Sequence, residues 1–257
     1  MTRKIYFAIL VSAYLMACAP PQESRRDVPL TYHIEAESRE KCIGEACAKV
    51  EWEYPLFDGD SALATGINGQ IQEQLKYHLM TDDYGFDDLS AGVEILFESY
   101  ERFRNDFPEV VQQWTIDIKG EVTFLSDQLV SMKFVNFSYT GGAHPNTVIN
   151  YLNLDLSDSV SIAPHENIIL DRSRLLRLTE EKFRQYHEVK AGVSLEDDGR
   201  FFLDDGQFFL PATVGYDKEE FVLYYNNYEI APYVMGGTEI RFPLTDLKGI
   251  VRTEQGQ

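Results

Sequence analysis

Residues 114–139 read WTIDIKGEVTFLSDQLVSMKFVNFSY, and apolar side chains alternate with polar ones along most of this stretch. A period of two is typical of half-buried β-strands. The alternation changes phase at Val135, after which the apolar residues are Val135, Phe137 and Tyr139. We predict a β-bulge at Val135, because one extra residue moves the following side chains to the opposite face.

Helical patterns lie on both sides of this strand-rich stretch. Apolar residues recur every three or four positions over 63–79 and again over 89–103. This period places them on one face of an amphipathic helix. A third pattern covers 175–186, and Asp171 or Ser173 precedes it as a candidate N-cap. The sequence therefore predicts three helices.

Shorter alternating patterns predict further strands at 30–34, 50–54 and 148–156, and the last third reads as short strands separated by turns. Helices are grouped rather than alternating with strands. We therefore predict an α+β fold, with largely antiparallel sheets and helices packed on them. We expect two intertwined or adjacent subdomains, residues 29–136 and residues 137–250.

The first residues predict export. Two cations and a short apolar run lead to LMAC at 15–18, the pattern of a bacterial lipoprotein signal that is cut before Cys18. The run is shorter than the ~20 apolar residues of a permanent membrane helix. We predict a signal peptide at 1–17, lipidation of Cys18, a flexible tether at 18–28 and a tail at 251–257.

The charge of the chain restricts its partners. The formal charge is −19, and removal of the signal peptide, whose charged residues are Arg3 and Lys4, changes it to −21. We expect no nucleic-acid partner, because phosphate binding needs clustered Lys and Arg. A basic protein would be attracted by this field. The alternative is that acidity only keeps the protein soluble.

The three cysteines agree with export. If Cys18 carries lipid, Cys42 and Cys47 remain as a pair in a short segment that contains Gly44. We predict a disulfide at the tip of a hairpin between two strands. A redox or metal pair is the alternative, although redox pairs usually have two intervening residues and a metal would need two more ligands.

Standard catalytic motifs are absent from the sequence. It contains no nucleophile elbow, no zinc-binding His-Glu-x-x-His helix and no phosphate-binding loop, and its five histidines are scattered. The acidic segments 197–199 and 204–206 lack the ligand spacing of an EF-hand, and we expect hairpin turns there. We assign no catalytic residue and expect neither a metal nor a cofactor.

Two segments carry the candidate binding residues. In the first, 137–146, two glycines permit positive φ and Pro145 keeps the preceding residue extended. It supplies Tyr139, Gly141, Gly142, His144 and Asn146. The second, 224–237, is rich in tyrosines with apolar rings and polar tips, and supplies Tyr228 and Tyr233. The alternatives are a turn that bonds its own backbone and ordinary strand packing.

YTGGAHPN at 139–146, followed by YEIAPY at 228–233 and by Gly236-Gly237, resembles a family of envelope proteins. The sequence is similar to the extracytoplasmic tandem domains of RsiV-type anti-sigma factors and to the accessory domain of PdaC-type peptidoglycan deacetylases. The resemblance covers about residues 29–250. It implies an α+β fold outside the cytoplasmic membrane and, from the RsiV-type members, binding of lysozyme. We expect neither a complete anti-sigma factor nor an appended deacetylase domain.

The sequence as a whole favours a cell-envelope lipoprotein that is a non-catalytic binding module. Its expected partner is a basic protein such as a lysozyme-like muramidase, or a cell-wall glycan such as peptidoglycan. Because Ala19 rather than Asp follows Cys18, we expect the outer membrane, facing the periplasm, where two membranes exist. A cell-wall-modifying enzyme that uses His144 and a structural envelope scaffold are the alternatives.

Overall fold

The computed structural model describes residues 30–79 and 85–253. The predicted signal peptide, the lipidation site Cys18 and the tether lie outside these residues, as does most of the predicted tail. Within the described ranges, no helix is both long enough and apolar enough to cross a membrane.

The first sheet has six strands in the order β1-β2-β3-β4-β5-β6. They are Tyr32–Ile43, Ala46–Phe57, Trp114–Leu125, Leu129–Tyr139, Asn146–Asp155 and Ser161–Ile162. Neighbouring strands are antiparallel except β2 and β3, which are parallel. A parallel pair needs a long crossover, and helices α1 (Ala62–Leu79) and α2 (Leu89–Asp106) provide it.

The crossover helices bury their apolar faces on one side of this sheet. Ile67, Ile71 and Leu75 of α1 are fully buried in the same cluster as Val93 of α2. Asp88 caps α2, because its carboxylate accepts the N–H of Ala91 at 2.9 Å. Both predicted helices are therefore confirmed, with the periodic residues in the core.

The second sheet is antiparallel, with strands β7 (Thr213–Asp217), β8 (Glu220–Tyr225) and β9 (Thr238–Pro243). Three helices precede it: α3 (His165–Ile168), α4 (Arg172–Tyr186) and α5 (Leu195–Asp198). Helix α4 is the third predicted helix. Of its two candidate caps, Asp171 is the one used, accepting the N–H of Arg174 at 2.9 Å.

Strand β7 crosses the first sheet on the face opposite α1 and α2, and buried polar side chains join the two. Ser131 Oγ donates to Asn153 Oδ1 at 2.7 Å and accepts the N–H of Tyr216 at 3.1 Å. Asn153 Nδ2 donates to the carbonyl of Val214 at 2.8 Å. Because an unpaired buried polar group is costly, this network fixes how the second sheet lies on the first.

The bulge predicted at Val135 is wrong, and the irregularity lies in β3. The register of β3 against β4 shifts between Val122 and Phe124. Val135 continues the regular ladder and lies opposite Ile149. The face of β4 that carries Val135 is the face on which the second sheet lies, so it also holds apolar residues. The phase change in the sequence therefore needs no inserted residue.

The predicted division after residue 136 needs correction, because it falls inside β4. The residues of β4 before and after this point all pair with β5. The first sheet continues to Ile162 and the second begins at Thr213, so the two units are adjacent. The α+β class with packed helices is confirmed. Segment 204–206 is a tight hairpin turn, but 197–199 is the end of α5 instead.

Candidate functional site

The two segments that supply the candidate binding residues meet in the structure. The rings of His144 and Tyr233 are stacked, with centroids 3.9 Å apart and planes 20° apart. Tyr228 lies beside both, with ring centroids 6.3 Å from His144 and 5.6 Å from Tyr233. We call these three side chains the aromatic cluster. His144 lies in the turn before β5, and Tyr228 lies 84 positions later in the turn 226–229. Tyr233 begins the short 3-10 helix Tyr233–Met235 that follows.

The first turn connects β4 to β5, and its glycines let it reverse direction tightly. Gly141 and Gly142 have φ values of 112° and 96°, which favour glycine. Tyr139 donates its hydroxyl to the carbonyl of Gly142 at 3.3 Å. The carbonyl of Pro145 accepts the hydroxyl of Tyr233 at 2.9 Å, so the second segment holds the first.

The second turn, 226–229, is fixed to β5 by the side chain of Asn226, which bonds to the backbone of β5 as a neighbouring strand would. Asn226 Oδ1 accepts the N–H of Ile149 at 2.8 Å, and its Nδ2 donates to the carbonyl of the same residue at 2.9 Å. The carboxylate of Glu229 accepts the N–H groups of Asn226 and Ala212 at 2.8 and 2.7 Å. These bonds determine where Tyr228 and Tyr233 lie relative to His144.

Tyr228 has a backbone φ of 66°, in the left-handed region that favours glycine. Such strain persists only where the surroundings impose it, and it is often found at functional sites. The side chain is 55% exposed, and nearby Val234 is 90% exposed. The turn therefore presents a large ring to solvent at a cost in backbone energy.

Among the residues that the structure describes, the polar partners of His144 do not include an acid. Within the described residues, its Nδ1 lies 3.0 Å from the carbonyl oxygen of Pro145 and its Nε2 lies 3.3 Å from the hydroxyl of Tyr228. A general base normally needs a group that orients and stabilises its charged form. This arrangement is suited to stacking and hydrogen bonding with a partner.

Asn146, the remaining predicted binding residue, is exposed at the start of β5. It borders the first turn, but within the described ranges its side chain makes no hydrogen bond to the aromatic cluster. Sequence reasoning missed Asn226 and Glu229, which hold the second turn. The dipeptide Asn226-Asn227 signals a turn in the sequence, but nothing there indicates that its first side chain bonds to β5.

Cys42 and Cys47 lie opposite each other across the β1–β2 hairpin and are joined by a disulfide, with Cα atoms 4.0 Å apart. Glu40 lies near both sulfurs, and these three residues are the one group in the described ranges with ligand atoms close enough for a metal. Because the disulfide removes both thiolates, this group is not suited to binding a metal.

A charged cluster on the second sheet was also not predicted from the sequence. Arg241 bonds to Glu239 at 2.6 Å, to Asp217 at 2.8 Å and to Glu220 at 3.1 Å. Its pKa is raised, above all by the hydrogen bond to Glu239. The three carboxylates come from different strands and turns, so only the folded sheet brings them together.

Comparison with known proteins yields two family matches in tandem. Residues 43–147 match the family described as deacetylase PdaC, and residues 166–245 match DUF3298, a family of unknown function. Peptidoglycan-N-acetylmuramic acid deacetylase PdaC of Bacillus subtilis (strain 168) is 24% identical over 163 residues, which are 60% of this chain. The match covers 34% of that deacetylase, so this chain spans only about a third of its curated relative.

Two solved structures of DUF3298 family proteins share the fold. The protein from Pseudomonas aeruginosa PAO1 has a TM-score of 0.62 and 19% identity, with 88% of this chain and 96% of that chain covered. The protein from Bacteroides fragilis NCTC 9343 has a TM-score of 0.64 and 20% identity, with 87% and 94% covered. In this chain a region of the PdaC family therefore precedes a DUF3298 region, in agreement with the resemblance seen in its sequence.

Proposed function

We propose that this protein is a cell-envelope lipoprotein that binds a basic, lysozyme-like protein without catalysis. The observation that carries the proposal is the aromatic cluster, in which two segments remote in sequence hold His144, Tyr228 and Tyr233 together at the surface. The peptidoglycan chemistry in the name of the PdaC relative supports a role at the cell wall. Lipidation of Cys18, and an outer membrane location facing the periplasm, are part of this proposal.

The aromatic cluster has the properties of a binding hot spot. Tyrosine is enriched at protein interfaces because its ring covers a large area and its hydroxyl bonds at the edge. The hydroxyl of Tyr233 and the carboxylate of Glu229 hold the two turns in place before any partner arrives. A partner therefore loses less free energy to ordering the surface, which favours tight binding.

The charge of the protein favours a basic partner. At −19 for the whole chain, its field attracts cations and repels polyanions. Complementary charge mainly raises the association rate and selects among partners, while the buried aromatic contacts determine how slowly the complex dissociates. Charge attraction and aromatic contacts would act together in the binding of a basic muramidase.

The test is binding of a basic lysozyme to the protein and to variants of the aromatic cluster, measured by calorimetry. We expect Tyr233→Ala to weaken binding by about 2 kcal/mol, the loss typical of a hot spot. Tyr77→Ala, which removes an exposed ring from α1, is the matched control and leaves affinity unchanged. Equal affinity of all three proteins for lysozyme contradicts the proposal, and selective binding of peptidoglycan fragments favours a glycan partner instead.

An enzyme that uses His144 is the second candidate, and its exposed imidazole supports it. Against it, the polar partners of His144 in the described part of the chain are a carbonyl and a phenol. The decisive experiment is to incubate the protein with peptidoglycan and analyse the products by mass spectrometry. Turnover that His144→Ala abolishes supports the enzyme, and no product from either protein removes this candidate.

A further inference from the structure

We propose that two copies of this chain pair through the outer edge of β1, which would extend the first sheet across both copies. Strand β1 (Tyr32–Ile43) lies at the end of the strand order, and no described strand pairs with its outer side. It is 12 residues long. Long, unprotected edge strands readily pair with another chain. This proposal does not depend on the aromatic cluster.

The backbone of β1 determines which residues can bond outward. Asp58 donates its N–H to the carbonyl of Thr31 at 2.9 Å, which continues the register that pairs Tyr32 with Phe57. In an antiparallel pair, alternate residues direct their N–H and C=O groups to the partner strand. The odd-numbered residues of β1 therefore bond to β2, and the even-numbered ones direct their N–H and C=O groups to the free edge.

The charges of β1 complement each other when a second copy runs antiparallel about Ser38. Because Ser38 is even-numbered, its backbone is available to bond to Ser38 of the second copy. In this register Glu37 lies opposite Arg39 of the second copy, and Glu35 lies opposite Lys41, each pair occurring twice by symmetry. These odd-numbered positions form the pairs without backbone bonds, where side chains approach most closely.

Other registers lose this match. A shift by two residues places Glu37 opposite Glu37, or Arg39 opposite Arg39, and like charges directly opposite each other are destabilising. A shift by one residue places the even-numbered residues of one copy, which can bond outward, opposite odd-numbered residues of the other, which already bond to β2. It also moves the side chains of one copy to the opposite face of the sheet. Each register shifted by two residues keeps only two opposite-charge pairs, Glu35 with Arg39 or Glu37 with Lys41, beside its like-charge pair, whereas the register about Ser38 has four opposite-charge pairs and no like-charge pair. The charge pattern therefore favours the register about Ser38.

Side chains on the other face support the same pairing. Tyr32 is 39% exposed and Ile34 is 47% exposed, so both offer apolar surface on the edge strand. In the proposed register Ile34 lies opposite Cys42 of the second copy, where the disulfide offers apolar contact. Arg39 keeps its present bonds to Glu37 and Ser90, because a guanidinium has five N–H donors and these bonds use two of them.

Sedimentation of the full chain in mild detergent over a concentration series tests the proposal. We expect reversible dimers in the wild type. Ser38→Pro abolishes them, since it removes an outward N–H that β2 does not use, whereas Ser38→Ala keeps this N–H and the dimer. A wild type that stays monomeric up to about 1 mM overturns the proposal. So does a dimer that Ser38→Pro leaves intact.

Charge reversal gives a second test that does not depend on proline. Glu37→Lys and Arg39→Glu each place like charges opposite each other in a homodimer, and we expect each to raise the dissociation constant about tenfold. When the two variants are mixed, both pairs are complementary again and a heterodimer forms. A folding defect would not be rescued by mixing. Failure of the mixture to dimerise better than either variant alone overturns the proposed register.

Discussion

The bonds of Asn226 to β5 make the strongest prediction about the site. Asn226→Ala removes the acceptor of the Ile149 N–H and the donors to the Ile149 carbonyl and to Thr213 Oγ1, which lie at 2.8, 2.9 and 3.3 Å. The carbonyl keeps the hydroxyl of Thr213 as a donor at 3.2 Å, but the N–H is left unpaired. At about 1 kcal/mol for each bond, we expect a loss of ~2–3 kcal/mol.

Thermal unfolding and hydrogen exchange measure this loss. For a chain of this size, ~2–3 kcal/mol corresponds to a fall in Tm of roughly 5–10 °C, and the Ile149 amide exchanges faster. Asn227→Ala is the matched control, because within the described residues the side chain of Asn227 makes no hydrogen bond. Binding of a basic lysozyme by Asn226→Ala also weakens, since the second turn is released. Equal Tm values for the two variants would refute the role given to Asn226.

Three further predictions concern the core, the strained turn and the junction between the sheets. Burial lowers the pKa of His78 from its ordinary 6.5 to about 4, so its neutral form stabilises the fold above pH 6.5. The free energy of unfolding falls by about 3 kcal/mol as the pH falls from 6.5 to about 4, because the unfolded chain binds a proton that buried His78 does not. Urea unfolding at the two pH values shows a smaller fall for His78→Gln. Tyr228→Gly relieves a positive φ and raises the free energy of unfolding by ~1 kcal/mol, while calorimetry shows weaker binding of lysozyme. Gly215→Ala destabilises the fold by ~1–3 kcal/mol, because its Cβ would lie 2.1 Å from the ring of Tyr151. The control Gly69→Ala, on the open surface of α1, stabilises the fold by ~1 kcal/mol, and urea unfolding measures both changes.

Local patterns in the sequence predict the helices well. Ile67, Ile71 and Leu75 recur at the spacing of one helix face, and that face is the buried one. Asp171 and Asp88 begin helices because their carboxylates accept N–H groups that have no partner within the helix. These features depend on neighbours within about one helical turn, so a single sequence contains them.

Features that depend on distant partners were not predictable in the same way. The bulge in β3 depends on how Thr123 meets the second sheet, where its hydroxyl donates to the carbonyl of Tyr216 at 2.6 Å. The sequence of β4 alone could not locate it. Similarly, the sequence predicted that His144 and Tyr233 lie in exposed loops, but their rings stack because Asn226 bonds to β5 and Tyr233 bonds to Pro145 in the folded protein.

The central claim is that a preformed aromatic surface, and not charge alone, binds a basic muramidase. The direct measurement is the affinity of the protein for a basic lysozyme at low salt and at about 0.15 M salt. We predict saturable one-to-one binding that persists at the higher salt and that Tyr233→Ala weakens at both. Binding that vanishes at the higher salt, or that Tyr233→Ala leaves unchanged, would contradict the claim.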